Sequence, residues 1–329
     1  MVVDSASPPN PFQKSIGDFN ADGLPDLMVA GQDGPVVWYE APTWTRRQVS
    51  STASSQSGSA VGDIDGDGVD DILVGMTWWQ NVNRGASWIA RPLPASNVGT
   101  HDHVIIDVNG DGKKDIIIRG EISSQIVIHL QQTVTSWRTF YVDPGIALNG
   151  VDVADLNNDG RPDIVVAGIW MENPGGDVAT RQWLSHQFAP SWPTFAFVKV
   201  VDMDGDGRRD ILLSVAESVG KISWFKAPAD PAYGTWTENV IATGLDHVHA
   251  CVVADFNNDG ALDVAASEHE GSGRLLIYLR SGSSWQANLI ASNEKLHNLR
   301  GADIGRDGDI DLFGASPWGT VPVILYERQ

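Results

Sequence analysis

A single cysteine, Cys251, in 329 residues excludes an intrachain disulfide framework. Cationic side chains are also scarce. Twenty-two Lys and Arg face 42 Asp and Glu, and the net charge of -20 argues against a basic face for nucleic acid or anionic lipid. No run of about 18 apolar residues occurs, so no stretch reads as a membrane-spanning helix. The opening MVVDSASPPNPF lacks the charged and apolar regions of a signal peptide, so secretion, if it occurs, needs a signal outside these residues. G-x-S-x-G, Walker, H-E-x-x-H and CxxC patterns are all missing, which removes support for serine hydrolase, nucleotide and common zinc-motif chemistry.

What the chain does have is one element repeated along its length. DFNADGLPD starts at Asp18, DIDGDGVDD at Asp63, DVNGDGKKD at Asp107 and DLNNDGRPD at Asp155. DMDGDGRRD follows at Asp202, DFNNDGALD at Asp255 and DIGRDGDID at Asp303. The starts lie 45, 44, 48, 47, 53 and 48 residues apart, the length of a four-stranded propeller blade. Within each unit an apolar stretch precedes the acidic loop and three more β-rich runs follow it, such as IIIRG, VVWYEAP and SWRTFYV, bounded by Gly, Pro and Asn. This predicts an all-β fold: a single seven-bladed β-propeller of four-stranded blades over residues 1–329. Tryptophans that recur per unit, among them Trp38, Trp137, Trp224, Trp236 and Trp285, are expected to pack between blades. The last unit is one strand short, so the N-terminal segment is expected to complete the seventh blade and remove two free sheet edges.

In D-x-[DN]-x-D-G-x-x-D, side-chain oxygens at positions 1, 3, 5 and 9 can converge on one cation. An oxygen-only set suits a hard ion with 6–8 ligands, so calcium is expected rather than zinc. The predicted ligands are Asp18, Asn20, Asp22 and Asp26 in the first loop, and Asp63, Asp65, Asp67 and Asp71 in the second. Asp107, Asn109, Asp111 and Asp115 serve the third, and Asp155, Asn157, Asp159 and Asp163 the fourth. Asp202, Asp204, Asp206 and Asp210 serve the fifth, and Asp255, Asn257, Asp259 and Asp263 the sixth. The seventh has Asp303, Asp307 and Asp311, with Gly305 at the third position, and is expected to bind most weakly. These positions hold 23 of the 42 acidic residues, and seven Ca²⁺ would bring the charge to about -6.

With its sevenfold acidic loop the chain resembles the FG-GAP or VCBS repeat family, calcium-loop β-propellers that include the integrin α-subunit head and secreted microbial lectins and polysaccharide-active proteins. The resemblance implies the propeller fold, structural calcium and an extracellular or periplasmic setting. At the level of architecture the chain is also similar to propeller polysaccharide lyases and aldos-2-ulose dehydratase, with no residue roles carried over.

A residue six positions before an acidic loop lies roughly 20 Å from it along a strand, on the opposite face. Counting back six reaches Phe12, Ser57, His101, Asn149, Ala196, His249 and His297, which should ring the mouth of the central channel. His103 and His247 fall near the same level, and Arg300 follows His297. After the second strands come Arg119 and Glu121, Trp170, Glu217, and Glu268, His269 and Glu270. The predicted catalytic set is therefore His101, His103, His247, His249, His269, His297, Glu268 and Arg300. The predicted substrate contacts are Arg119, Glu121, Glu217, Trp78, Trp79 and Trp170, with Trp192 and Trp318 as further stacking candidates. Cys251 is expected to be a small buried residue rather than a thiolate.

His, Glu, Arg and Trp around a concave face suit a carbohydrate partner. A His or Glu base could remove a proton beside a carboxylate or carbonyl while Arg300, or a second divalent metal on the histidines, stabilises the enolate. The expectation is a secreted, monomeric lyase or dehydratase that binds no nucleic acid. A lectin or adhesion propeller is the alternative, and a protein-docking propeller a third. A lectin should repeat its polar pocket in each blade. Here the His, Glu and Arg residues gather in blades three, six and seven, which favours one asymmetric site.

Overall fold

The computed structural model describes residues 1–32, 34–52, 58–120, 123–145 and 149–327. The described strands form seven four-stranded antiparallel sheets. Six are built from consecutive strands, as in blade three, where Asp102–Ile106, Asp115–Arg119, Ile126–Thr133 and Ser136–Val142 pair in order. The seventh takes three strands from the C-terminal end, His297–Ala302, Asp311–Ala315 and Val323–Tyr326, and its outermost strand from Val2–Asp4. Val2 pairs with Ile324 and Asp4 with Val323. The predicted closure is therefore present. No helix occurs among the described residues.

Each sheet is covered on both faces by its neighbours. The second strands are consequently buried throughout, as in Asp26–Ala30, Asp115–Arg119 and Asp311–Ala315. This explains why they read as continuous apolar runs instead of alternating. Outermost strands such as Thr45–Ser50 are mostly exposed and polar. The core is not one mass but seven wedges, one between each pair of adjacent blades. Trp38 lies with Phe19, Ile72 and Trp79 between blades one and two. Leu27, Tyr39, Phe313 and Leu325 fill the wedge between blades one and seven. Each fully buried large apolar side chain contributes about 1.5–3 kcal/mol.

The acidic loop also organises the blade. Its first Asp accepts from the backbone N–H of the loop's sixth residue in every blade, from 2.7 Å at Gly23 to 3.1 Å at Gly308. That sixth residue is glycine because its φ lies between +81° and +90°, where a side chain is strained. The ninth-position Asp uses one oxygen to accept from the N–H of the loop's second residue, as Asp115 does from Val108 at 2.9 Å. In blades one to six its other oxygen accepts from a backbone N–H of the third strand or the residue just after it, as from Gln131 at 2.8 Å.

A second bond links neighbouring blades. The residue whose N–H meets the ninth Asp reaches with its side chain to the preceding blade's loop. Asn81 Nδ2 donates to Phe19 O (2.8 Å), Gln131 Nε2 to Ile64 O (2.9 Å) and Asn173 Nδ2 to Val108 O (2.9 Å). Arg280 Nη1 does the same to Met203 O. The equivalent residues in blades one and five are Ala41 and Ala227, whose side chains cannot donate.

Candidate functional site

The inner strands connect two faces of different chemistry. In blade three, Ile106 pairs with Asp115 beside the acidic loop, and Asp102 pairs with Arg119 at the far end. The residues reached by counting back six meet at that far end. His101 Nε2 lies 3.4 Å from Asn149 Nδ2, the rings of His249 and His297 are centred 4.7 Å apart, and His297 meets Phe12 edge-on at 5.3 Å. Ser57 lies outside the described residues.

Blades six and seven build a histidine cluster there. His269 is centred 5.0 Å from His249 and 5.1 Å from His297, closing a triangle of three rings. Glu217 Oε1 sits 3.1 Å from His249 Nε2, and that histidine holds the carboxyl below its ordinary range. Burial, then the neighbouring His249, keep His269 down at about 4. His297 is held well below the usual histidine range by burial, then by His249 and Lys14. The buried Lys14 Nζ donates to the His297 carbonyl at 2.5 Å. Phe12 also packs edge-on to Trp318, which remains 58% exposed beside the cluster.

The adjoining central channel has a volume of about 390 Å³. Its wall carries His101, Asp102, Asp152, Lys199 and Arg300 on four inner strands and the segments that lead into them. Asp102 Oδ2 lies 2.7 Å from His101 Nδ1 and accepts from Gly150 N–H at 3.0 Å. Burial alone would raise Asp102, yet His101 and the Gly150 N–H hold it below the ordinary carboxylate range. An ionised carboxylate only accepts, so Nδ1 carries a proton. Burial lowers the Arg300 guanidinium, and the nearby Asp102 opposes that shift.

The acidic loops lie at the other end, and their donor set fits a hard divalent ion. Ligand oxygens of Asp63, Asp65 and Asp71, and of Asp202, Asp204 and Asp210, lie within 4.8 Å of one another. Burial, opposed by the backbone donors and reinforced by nearby loop aspartates, pushes Asp26, Asp71 and Asp163 up to about 7, and Asp115 and Asp210 to about 6. A cation would relieve that crowding of carboxylates. In loops three, four and five a basic seventh residue already does so in part. Lys113 pairs with Asp111 at 3.0 Å, Arg161 with Asp159 and Arg208 with Asp206.

The FG-GAP-like repeat model matches residues 18–74, 107–166, 202–266 and 255–314, more than two thirds of the chain. The chain belongs to the FG-GAP-like repeat family. No curated protein matches it. Among solved structures, this FG-GAP-like chain is similar to one in "Crystal structure of BBS1N in complex with ARL6DN, soaked with lead", with a TM-score of 0.65 and 13% identity over 99% of this chain and 95% of that one. It is also similar to a chain of "YCF48 bound to D1 peptide", at TM-score 0.62 and 12% identity over 100% and 94%. A chain of the mitotic checkpoint complex gives 0.58 and 12% over 96% and 92%. At such identities the likeness establishes the propeller fold alone.

Several predicted site residues of this FG-GAP-like propeller are structural. Trp78 and Trp170 are 0% exposed and Trp79 only 6%, all within interblade wedges, so no ring face is left for a sugar. Arg119 is fully buried and donates through Nη1 to the carbonyls of Ser123 (2.5 Å) and Gln125 (2.8 Å). Glu268 is spent on Arg274 Nε (2.8 Å) and Nη2 (2.5 Å) and accepts from Asp246 N–H, which makes it a bracket and not a base. His103 donates through Nε2 to Gly75 O at 2.9 Å, while Nδ1 faces Gly58, where an added Cβ would fall 2.3 Å from it. His247 is paired to Asp246 at 2.5 Å. Trp192 is half-buried against Phe225, with Lys221 over its ring. Glu121 lies outside the described residues. Burial pushes the Cys251 thiol up to about 12, in keeping with an inert buried residue.

Sequence reasoning missed Asp102, Asp152, Lys199 and Lys14. Asp102 stood in plain view within HDH, where a carboxylate next to a histidine was the available signal. Lys14 gave none, because its burial depends on closure of the ring.

Proposed function

We propose that this propeller is a calcium-stabilised carbohydrate-active protein of the extracellular or periplasmic space, with a single lyase or dehydratase site at the histidine end of its channel. The observation that carries this reading is the presence of the His101–Asp102 pair and Arg300 on the wall of one 390 Å³ cavity. Asp102 orients the imidazole and stabilises its charged form, so His101 Nε2 serves as the base. Arg300, assisted by Lys199, neutralises the carboxylate or carbonyl of an anionic sugar. His101 takes the proton α to that group and a carbon–carbon double bond forms. The C–O bond on the neighbouring carbon breaks, and its oxygen leaves with a proton from the imidazolium or water. The exposed face of Trp318 supplies a stacking surface at the mouth. Calcium in the acidic loops is structural in this reading, and weak sites of this type fill outside the cytosol.

A second reading is peptide docking, favoured by the peptide named with the similar YCF48 chain. One screen separates the two. Uronate oligosaccharides and keto-sugars are incubated with the protein and followed by the ultraviolet absorbance of unsaturated products, with His101→Ala as control. Turnover that the variant loses supports the lyase. Sugar binding without turnover identifies a lectin, and neither outcome leaves docking as the better account.

A further inference from the structure

Two buried ring nitrogens in the cluster of blades six and seven have no hydrogen-bond partner, His269 Nδ1 and His297 Nδ1, and His249 Nε2 has only the Glu217 carboxylate beside it, at 3.1 Å. All three atoms are buried, and the side chains of His249 and His269 are only 8% and 11% exposed. One orphan nitrogen in a core is a cost of about 1–3 kcal/mol, and two on touching rings, beside a third that faces a carboxylate, call for a shared partner. We propose that His249, His269 and His297, with Glu217, form a site for one first-row transition cation, separate from the acidic loops.

The ring spacing supports it. Imidazole nitrogens bind such ions at about 2.0–2.1 Å, which puts each ring centre about 3.2 Å from the metal. At angles of roughly 95–110° the centres then lie about 5 Å apart. The observed separations are 4.7, 5.0 and 5.1 Å. In the rotamers described, the nitrogens themselves do not converge to within 4.8 Å, the spacing that the two aspartate triads reach. A half-turn of an imidazole about Cβ–Cγ exchanges Nδ1 with Cδ2 and Nε2 with Cε1 while the ring disc stays in place. In this proposal the site closes by ring rotation.

The backbone is already braced for it. Lys14 holds the His297 carbonyl at 2.5 Å, and His269 N–H donates to His247 O at 3.0 Å. Glu217, the exposed member, brings a carboxylate to the open side, 3.1 Å from His249 Nε2. Three imidazoles and one carboxylate select zinc, cobalt, nickel or iron over calcium, which prefers oxygen alone. The site stands whether or not the chain turns over a sugar.

Tag-free protein, stripped with chelator and returned to excess calcium, is titrated with Co²⁺. One equivalent should bind and give the visible absorption of a four- or five-coordinate ion. His249→Ala and His297→Ala should abolish that band, with calcium content and the circular dichroism spectrum retained. Because a buried histidine variant can fail to fold, Glu217→Gln is the second test: it lies at the surface and should weaken Co²⁺ binding about tenfold. No Co²⁺ uptake by the wild type, or equal uptake by wild type and Glu217→Gln with the same absorption spectrum, would overturn the proposal.

Discussion

Lys14 Nζ donates to the carbonyl oxygen of His297, 2.5 Å away across 283 residues of chain. The bond joins the inner strands of blades one and seven at the seam where the ring closes. Lys14 is fully buried with no carboxylate partner among its hydrogen bonds, and burial, then the charge of Arg300, depress its ammonium well below the ordinary lysine range. Lys14→Met keeps the stem but leaves that carbonyl unpaired, so it should destabilise the protein by about 1–3 kcal/mol in urea unfolding. An unchanged midpoint would show that the seam does not depend on this bond.

The side-chain clamps between blades make a second prediction. Asn173→Ala removes a 2.9 Å bond to Val108 O and a 3.0 Å bond to Pro162 O, both reaching buried or part-buried backbone. A loss of about 1–3 kcal/mol is expected. Asn81→Ala should match it, because the bonds to Phe19 O and Asp70 O repeat the same geometry. The two losses should add, since the sites share no partner.

Chelation tests the loops. If they hold calcium, each site contributes about 2.7 kcal/mol at a hundredfold excess over its Kd, and chelator should lower Tm by about 10 °C or more. The sign of the pH effect follows from the raised carboxyls. Burial puts Asp26, Asp71 and Asp163 at about 7 in the folded, ion-free protein, against 3.8 unfolded. Their ionised forms therefore oppose folding progressively between pH 4 and 7 when no cation is bound. The Tm gap between calcium-loaded and chelated protein should be wider at pH 7.5 than at pH 5. A gap that is absent at both would reject the calcium scaffold.

His129 lies on the third strand of blade three, opposite Ile116. It is 0% exposed, with Nδ1 2.9 Å from Thr139 Oγ1, and burial, then His103, hold it down to about 4 against an ordinary 6.5. A histidine depressed in the folded state stabilises above the unfolded value and loses that contribution as pH falls toward the folded one. Wild type should therefore lose up to about 3 kcal/mol relative to His129→Gln between pH 6.5 and 4, measured by denaturant unfolding in saturating calcium. Parallel curves would place the proton elsewhere.

The blade count, the strand order and the closing N-terminal strand were legible in the sequence because the acidic loop repeats, and a repeat sets its own period. The opposite faces were legible too, since strands of known rise separate a residue from its loop by simple length. That is why counting back six found His101, His249 and His297 as members of one end. Which residues near that end face the channel could not be read this way. Arg119 and Glu268 sit at strand ends suited to a site, but bonds to Ser123, Gln125 and Arg274 consume them, and those partners follow from local turn geometry. Trp78, Trp79 and Trp170 look like stacking platforms until neighbouring blades cover both faces of their sheets.

By itself, then, the sequence determined the propeller and the seven turns that punctuate it, because loop chemistry and strand period are local properties. Only the tertiary structure decided the site. The triangle of His249, His269 and His297 draws on two blades and two strand levels, and the pairing of Lys14 with His297 spans almost the whole chain. Such meetings depend on how tightly seven wedges pack around an axis, and no single repeat carries that information.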